Sequence, residues 1–214
     1  MTATVSFDPK CRRCPRLAKF LSQNRHEYPD YHAAPVPPFG DTDPRLLIVG
    51  LAPGMHGANR TGRPFTGDHA GIILYRTLHE HGFASAPESD IGDDLVLTGA
   101  RITNAVKCLP PANKPVGAEI NNCNRFLAAE LGALARPVIV LALGGIAHRA
   151  VVRSLGLRQA DHAFGHAAEH ALEEGMTLID SYHCSRYNTN TRRLTEPMFG
   201  AIFARIREII GTAA

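Results

Sequence analysis

The sequence predicts an α/β fold: a single three-layer domain whose central, mainly parallel, four-stranded sheet is flanked by helices. Three observations predict it. Four short apolar runs, each closed by glycine or a polar cluster, read as buried strands. Stretches of helical apolar periodicity separate them, and this strand–helix alternation gives a parallel sheet between helical layers. The length of 214 residues suits one domain better than two, at about 150 residues per domain, so 1–214 is read as one unit.

The first strand is predicted at 45–49, where RLLIV is ended by Gly50. The second is placed at 100–106, the third at 137–143 (PVIVLAL) and the fourth at 176–182 (MTLIDSY). Helices are predicted over 70–81, 119–135, 146–155 and 195–210. Within 119–135, Ile120, Cys123, Leu127, Leu131 and Leu134 share one face. Within 195–210, Met198, Ile202, Ile206, Ile209 and Ile210 face inward, and Pro197 is tolerated in the first turn. Residues 28–44 carry Pro29, Pro35, Pro37, Pro38 and Pro44 and read as an extended surface connector.

Hydrophobic residues make up 44% and charged residues 20%, which excludes a disordered chain. No stretch approaches the roughly 20 apolar residues of a membrane span. The N-terminal MTATVSFDPKCRRCPR lacks a basic segment followed by an apolar one, so no export signal is read and a cytoplasmic protein with reduced thiols is expected. The net charge of +3 does not by itself argue for nucleic acid. The ends are more basic: 1–30 hold six basic against three acidic side chains, and 181–214 five Arg against two Glu. Solvated surface is the commoner meaning of such an excess.

In folds of this class, ligands bind beyond the carboxyl ends of the strands. Each predicted strand is followed there by unusual residues: Gly50-Leu51-Ala52-Pro53-Gly54, then Asn104 to Cys108, then Gly144-Gly145, then His183-Cys184-Ser185. Residues 53–69 form a long glycine-rich loop, and loops of that length are usually functional or disordered. Phe65 offers a planar face on which a base could stack, or an anchor to the core. Asp68 precedes a predicted helix, and from sequence alone its favoured role is an N-cap. Gly144-Gly145 opens a helix, where free N–H groups suit an anion, or simply makes a tight turn. His162, His166 and His170 are spaced four apart, but Gly165 weakens a helix there and no acidic partner is evident, so exposed or edge-strand histidines are expected.

Cys11 and Cys14 form a C-x2-C pair, and Cys108 and Cys123 a second pair with fourteen residues between them. Four thiolates complete a zinc site or an iron–sulfur cluster, and the spacing does not separate the two. Cys108 and Cys123 as small core hydrophobes is the plain alternative. Cys184 lies beside His183, but adjacent residues on an extended strand point to opposite faces, so a packed cysteine is expected rather than a Cys–His dyad.

Three segments carry a resemblance: GLAPGMHGANRTGRPFTGDHAG at 50–71, ITNAVKCLPPANKP at 102–115 and SYHCSRYNTNTRRLTEPMF at 181–199. They resemble the motifs of uracil-DNA glycosylases, and most closely those of the iron–sulfur branch called family 5 or type B. The resemblance runs from Cys11 to Phe199. It implies an enzyme of base excision repair that flips a damaged base out of DNA and cleaves its N-glycosidic bond. Cys11, Cys14, Cys108 and Cys123 then match the ligands of a [4Fe-4S] cluster that ties the N-terminal segment to the domain. Gly50, Leu51, Ala52 and Phe65 match the substrate pocket, with Phe65 stacking on the base. Asn104 matches the residue that reads the base's polar edge, and His183 the histidine at its carbonyl. Asp68 matches an acidic residue of the first motif. Gly144 and Gly145 match a phosphate-facing turn. Ser185, Arg186, Tyr187 and Asn190 match the segment that enters the DNA and fills the vacated stack.

Many members of the wider superfamily carry a polar residue at or near Leu51 that aids catalysis, and Leu51 cannot do this. No basic, histidine-containing insertion of the covalent variant is seen, and no lysine stands at an obvious nucleophile position. The resemblance therefore implies a monofunctional, hydrolytic glycosylase in which Asn104 and His183 stabilise charge on the departing base and Asp68 stabilises the sugar cation or orients water. Uracil and other deaminated bases are the expected substrates. Double-stranded DNA with damaged bases is the expected partner, with single-stranded DNA as a second form, and a monomer without membrane contact is expected. Two rival classes are a zinc- or iron–sulfur-stabilised nucleic-acid-binding module without catalysis and an iron–sulfur electron carrier. The carrier leaves Phe65, Asn104 and His183 without a task, and the zinc module leaves Asp68 and Asn104 without one.

Overall fold

The computed structural model describes residues 7–212. Met1 to Ser6, part of the N-terminal stretch read above for an export signal, and the last two residues of the expected 1–214 unit lie outside the described residues. Among the described residues, no helix is long and apolar enough to cross a membrane.

The strands are β1 (Phe39–Gly40), β2 (Leu46–Gly50), β3 (Ala100–Asn104), β4 (Val138–Leu143), β5 (Glu169–Ala171) and β6 (Met176–Ser181). They form one sheet in the order β1-β3-β2-β4-β6-β5. The four predicted strands are its parallel centre, and β1 and β5 pair antiparallel at the two edges. Among the described residues the sheet thus has six strands where the sequence predicts four. The additional pair are two and three residues long, too short for an alternation pattern, and one follows directly on a proline-rich stretch.

The helices are α1 (Pro15–Glu27), α2 (Ala58–Thr61), α3 (His69–Glu80), α4 (Gly117–Gly132), α5 (Gly145–Ser154), α6 (Arg186–Asn190) and α7 (Glu196–Thr212). Every residue of β2 and β4 is buried because both sheet faces are covered. Alternate residues serve opposite layers. Leu46 and Ile48 pack with Leu74 of α3 and Ile202 of α7, while Leu47 and Val49 pack with Leu127 of α4 and Val151 of α5. Phe199 and Phe203 of α7 are fully buried, whereas Met198, Ile209 and Ile210, predicted inward, are only partly covered. The predicted helix spans hold apart from their ends. α1 was not foreseen, because its buried stripe is only Leu17, Leu21 and Asn24. The stretch at 28–44 is also not a surface connector: Ala33 and Val36 are buried, and the Val36 N–H donates to the Lys107 carbonyl at 2.7 Å.

Parallel registry sets the strand ends level. Gly50 pairs with Asn104, and Leu143 with Ser181. The segments that follow β2, β3, β4 and β6 therefore emerge at one edge of the sheet.

Candidate active site

A cavity of about 460 Å³ opens at this edge. Leu51, Ala52, Phe65 and Asp68 enter it from the segment after β2, Asn104 from the end of β3, and His183, Ser185 and Arg186 from the segment after β6. Gly50 backs it. A Cβ there would stand 2.4 Å from Asn104 Oδ1 and 2.8 Å from the Phe65 ring, so the close approach of those two side chains depends on the missing side chain. Phe65 itself holds a left-handed backbone with φ of 61°. Its ring lies 6.0 Å from the His183 ring at an interplanar angle of 24°. Phe65 is also buried in the main core, so core anchor and cavity wall are one role, not two.

Asp68 occupies the N-cap position of α3 but does not act as its cap. Its carboxylate makes no capping bond to the helix. It is turned back over the preceding loop, where a Cβ on Gly57 would meet both carboxylate oxygens at 2.1 Å. The N-cap role favoured from sequence is thus corrected: the position is right and the side chain points elsewhere. Burial pushes the Asp68 pKa above the usual carboxylate value, and the Ala58 N–H, His56 and Arg60 pull it part of the way back. Only its own backbone carbonyl serves α3, accepting from the Gly71 N–H at 3.0 Å.

Burial pushes the His183 imidazole down to about 4, so it is neutral at physiological pH. Its carbonyl accepts from Asn188 Nδ2 at 2.8 Å. Gly144, with φ of 93°, packs against it: a Cβ there would stand 3.4 Å from His183 Cβ. Cys184 is fully buried and directs Sγ toward the Ala70 carbonyl at 3.5 Å, the packed cysteine the sequence predicts.

The predicted DNA-entering loop is a short helix. Ser185 caps α6 by accepting the Asn188 N–H at 3.4 Å. Thr189 Oγ1 lies 3.2 Å from His69 Nε2, which holds α6 against α3. Tyr187 is 72% exposed, and neither it nor Asn190 lines the cavity. Gly145 also stands apart from the cavity, beside Arg149 and Phe164. His69 and Asn113 line the cavity and were not foreseen. The position of His69 next to Asp68 was the available signal. Asn113, in a left-handed conformation after Cys108, had none beyond its turn chemistry.

Cys11, Cys14, Cys108 and Cys123 meet around one small void walled by Leu17, Val106 and Phe126. The Lys107 N–H points at Cys123 Sγ at 3.3 Å, and Asn122 Nδ2 at Cys14 Sγ at 3.7 Å. As free thiols, Cys108 is pushed up to about 12 and Cys123 to about 11, chiefly by burial. A donor set of four sulfurs with N–H groups aimed at them fits a thiolate-bound metal group.

The fold and the cavity define a single α/β domain with a concave site at the carboxyl edge of its sheet. The sequence matches the Uracil DNA glycosylase superfamily over residues 37–207, and the chain belongs to that superfamily. It is similar to a type-5 uracil-DNA glycosylase of Thermus thermophilus, at 47% identity over 206 residues and 94% of each chain. It is also similar to a type-5 uracil-DNA glycosylase of Pyrobaculum aerophilum, at 42% identity, covering 91% of this chain and 87% of that one. A type-4 uracil-DNA glycosylase of Thermotoga maritima is 36% identical over half of this chain and 49% of its own. The crystal structure of SMUG2 from Pedobacter heparinus shares the fold, with a TM-score of 0.52 at 12% identity, covering 97% of this chain and 94% of that one.

Proposed function

We propose that this chain is a monofunctional DNA glycosylase that flips uracil out of DNA and hydrolyses its N-glycosidic bond in base excision repair. The observation that carries the reading is one cavity lined by an aromatic face, a carboxamide, a neutral imidazole and a buried carboxylate: Phe65, Asn104, His183 and Asp68. Flipping costs a few kcal/mol, and stacking on Phe65 offsets part of that. The Asn104 carboxamide both donates and accepts, as a uracil edge requires. His183 donates one N–H to the base carbonyl without carrying charge, so its bond strengthens as negative charge grows on the departing base. Asp68, ionised, faces the sugar cation or orients the water that attacks it. The apolar Leu51 and Ala52 leave the pocket weakly discriminating, which supports other deaminated bases as further substrates. Release of free uracil from a uracil-containing duplex tests the reading; no release would overturn it in favour of a binding module without catalysis.

Cys11, Cys14, Cys108 and Cys123 would hold the [4Fe-4S] cluster. Bound there, it supplies a cross-link between the segment before α1, the loop after β3 and α4. Cys14→Ser is expected to lose iron and to lower the melting temperature, while Cys184→Ser keeps its iron. Iron and acid-labile sulfide assays check this, and equal loss in both variants would refute the ligand set.

Gly144 and Gly145 would face a DNA phosphate through the N-terminus of α5, and α6 would enter the duplex. The exposed Tyr187 is the residue that fills the vacated stack, with Arg186 on the adjoining phosphate and Ser185 and Asn190 flanking them. Replacing both Arg186 and Tyr187 by Ala is expected to slow excision from duplex DNA about tenfold more than from single-stranded DNA. An equal loss on the two substrates would remove α6 from the wedge role. Double-stranded DNA is thus the main partner, met by a monomer in the cytoplasm.

A further inference from the structure

The histidines at 162, 166 and 170 do not share a helix face. His170 stands on the edge strand β5, next to Asp180 of β6, and His148 reaches the same carboxylate from α5. His148 Nδ1 lies 2.8 Å from Asp180 Oδ1, and His170 Nε2 lies 3.5 Å from Asp180 Oδ2. One ligand atom from each of the three residues lies within 4.8 Å of the others. Asp180 is fully buried, and the His148 and His170 side chains are 1% and 14% exposed. The acidic partner that the sequence did not reveal is therefore ten residues away, on the neighbouring strand.

The proton count shows what this cluster needs. His148 Nε2 lies 2.8 Å from the His162 carbonyl, an acceptor, so Nε2 carries a hydrogen. In the neutral ring, the Nδ1 lone pair then faces a carboxylate oxygen, acceptor against acceptor. A hydrogen or a metal cation must stand between them, either one proton shared by His148 Nδ1 and the carboxylate or a metal ion. The proton leaves His170 Nε2 as a buried atom without a hydrogen-bond partner. A cation takes Nδ1 of His148, Nε2 of His170 and the carboxylate together. An imidazole whose far N–H is tied to a backbone carbonyl is how metal-bound histidines are oriented. The Gly165 N–H, 3.4 Å from Asp180 Oδ2, steadies the carboxylate in the same way.

We infer that His148, His170 and Asp180 form a site for one divalent transition-metal ion of the zinc type, separate from the four cysteines. Two imidazoles and a carboxylate suit zinc, and the His162 ring packs edge-on against that of His170, 5.5 Å away. The site is buried and none of its three residues lines the cavity, so its role is structural. It joins α5, which begins beside Gly144, and the edge strand β5 to β6, which leads directly to His183.

The test uses the purified cluster-loaded chain, incubated with zinc chloride and desalted. Elemental analysis is expected to find about one zinc per chain, and zinc-edge X-ray absorption a nitrogen and oxygen shell near 2.0–2.1 Å, without sulfur near 2.3 Å. His170→Ala, on an edge strand, is expected to lose the zinc while keeping its iron, and Cys14→Ser to keep the zinc while losing iron. Zinc absent from the folded wild-type chain, zinc held through sulfur, or zinc retained by His170→Ala would each overturn the site and leave a proton shared by His148 Nδ1 and Asp180. Because none of these readouts is excision, they stand or fall apart from the glycosylase reading.

Discussion

Asp68→Asn is expected to lose single-turnover uracil excision by about a hundredfold or more, with a melting temperature at neutral pH equal to or above that of the unaltered chain. The first half follows from the proposed chemistry, since the amide is the same size but carries no charge to set against a sugar cation. The second follows from the geometry. Asp68 makes no capping bond to α3, so the amide forfeits none. Burial raises the folded-state pKa of this carboxyl above its unfolded value. For such an acid the folded state holds its proton more tightly. Stability is therefore greatest below the unfolded pKa, falls as pH rises through the folded one, and stays reduced at neutral pH. The amide removes that penalty. Excision by the unaltered chain should in turn fall on the acid side as Asp68 takes up its proton. His183, held down to about 4, adds no titration at neutral pH. Single-turnover kinetics across pH, with thermal melts alongside, check both halves. A stable variant with undiminished excision would take Asp68 out of the chemistry and leave Asn104, His183 and the DNA phosphates to carry it.

The sequence showed most clearly what burial on both faces imposes. The runs at 45–49 and 137–143 are apolar without alternation because α3 and α7 cover one face and α4 and α5 the other. The gathering of Asn104, His183 and the loop after β2 at one edge followed from parallel topology alone. The short edge strands and α6 were not legible, because two to five residues carry no period. Nor was the direction of the Asp68 carboxylate, which is set by the absent side chain of Gly57 rather than by anything local to α3. The His148–His170–Asp180 cluster was hidden for a related reason: strand pairing, not sequence spacing, brings His170 beside β6.

Gly50→Ala is expected to lower uracil excision by about a hundredfold while shifting the melting temperature by only a few degrees, the range of a change near 1 kcal/mol in a domain of this size. The added Cβ would stand 2.4 Å from Asn104 Oδ1 and 2.8 Å from the Phe65 ring, so neither side chain can keep its place. Both line the cavity, so the displacement falls on the base contacts, while the packing of β2 between the two helical layers is kept. A displacement near 1 Å at groups that orient a substrate is enough for a loss of that order. Gly71→Ala provides the contrast. Its Cβ would lie 1.8 Å from the Phe65 carbonyl oxygen, a backbone atom held by the loop, so that variant is expected to lose stability together with activity. Excision assays and thermal melts on the two variants separate a recognition defect from a folding defect. Undiminished excision by Gly50→Ala would mean that Asn104 and Phe65 do not both bear on the flipped base.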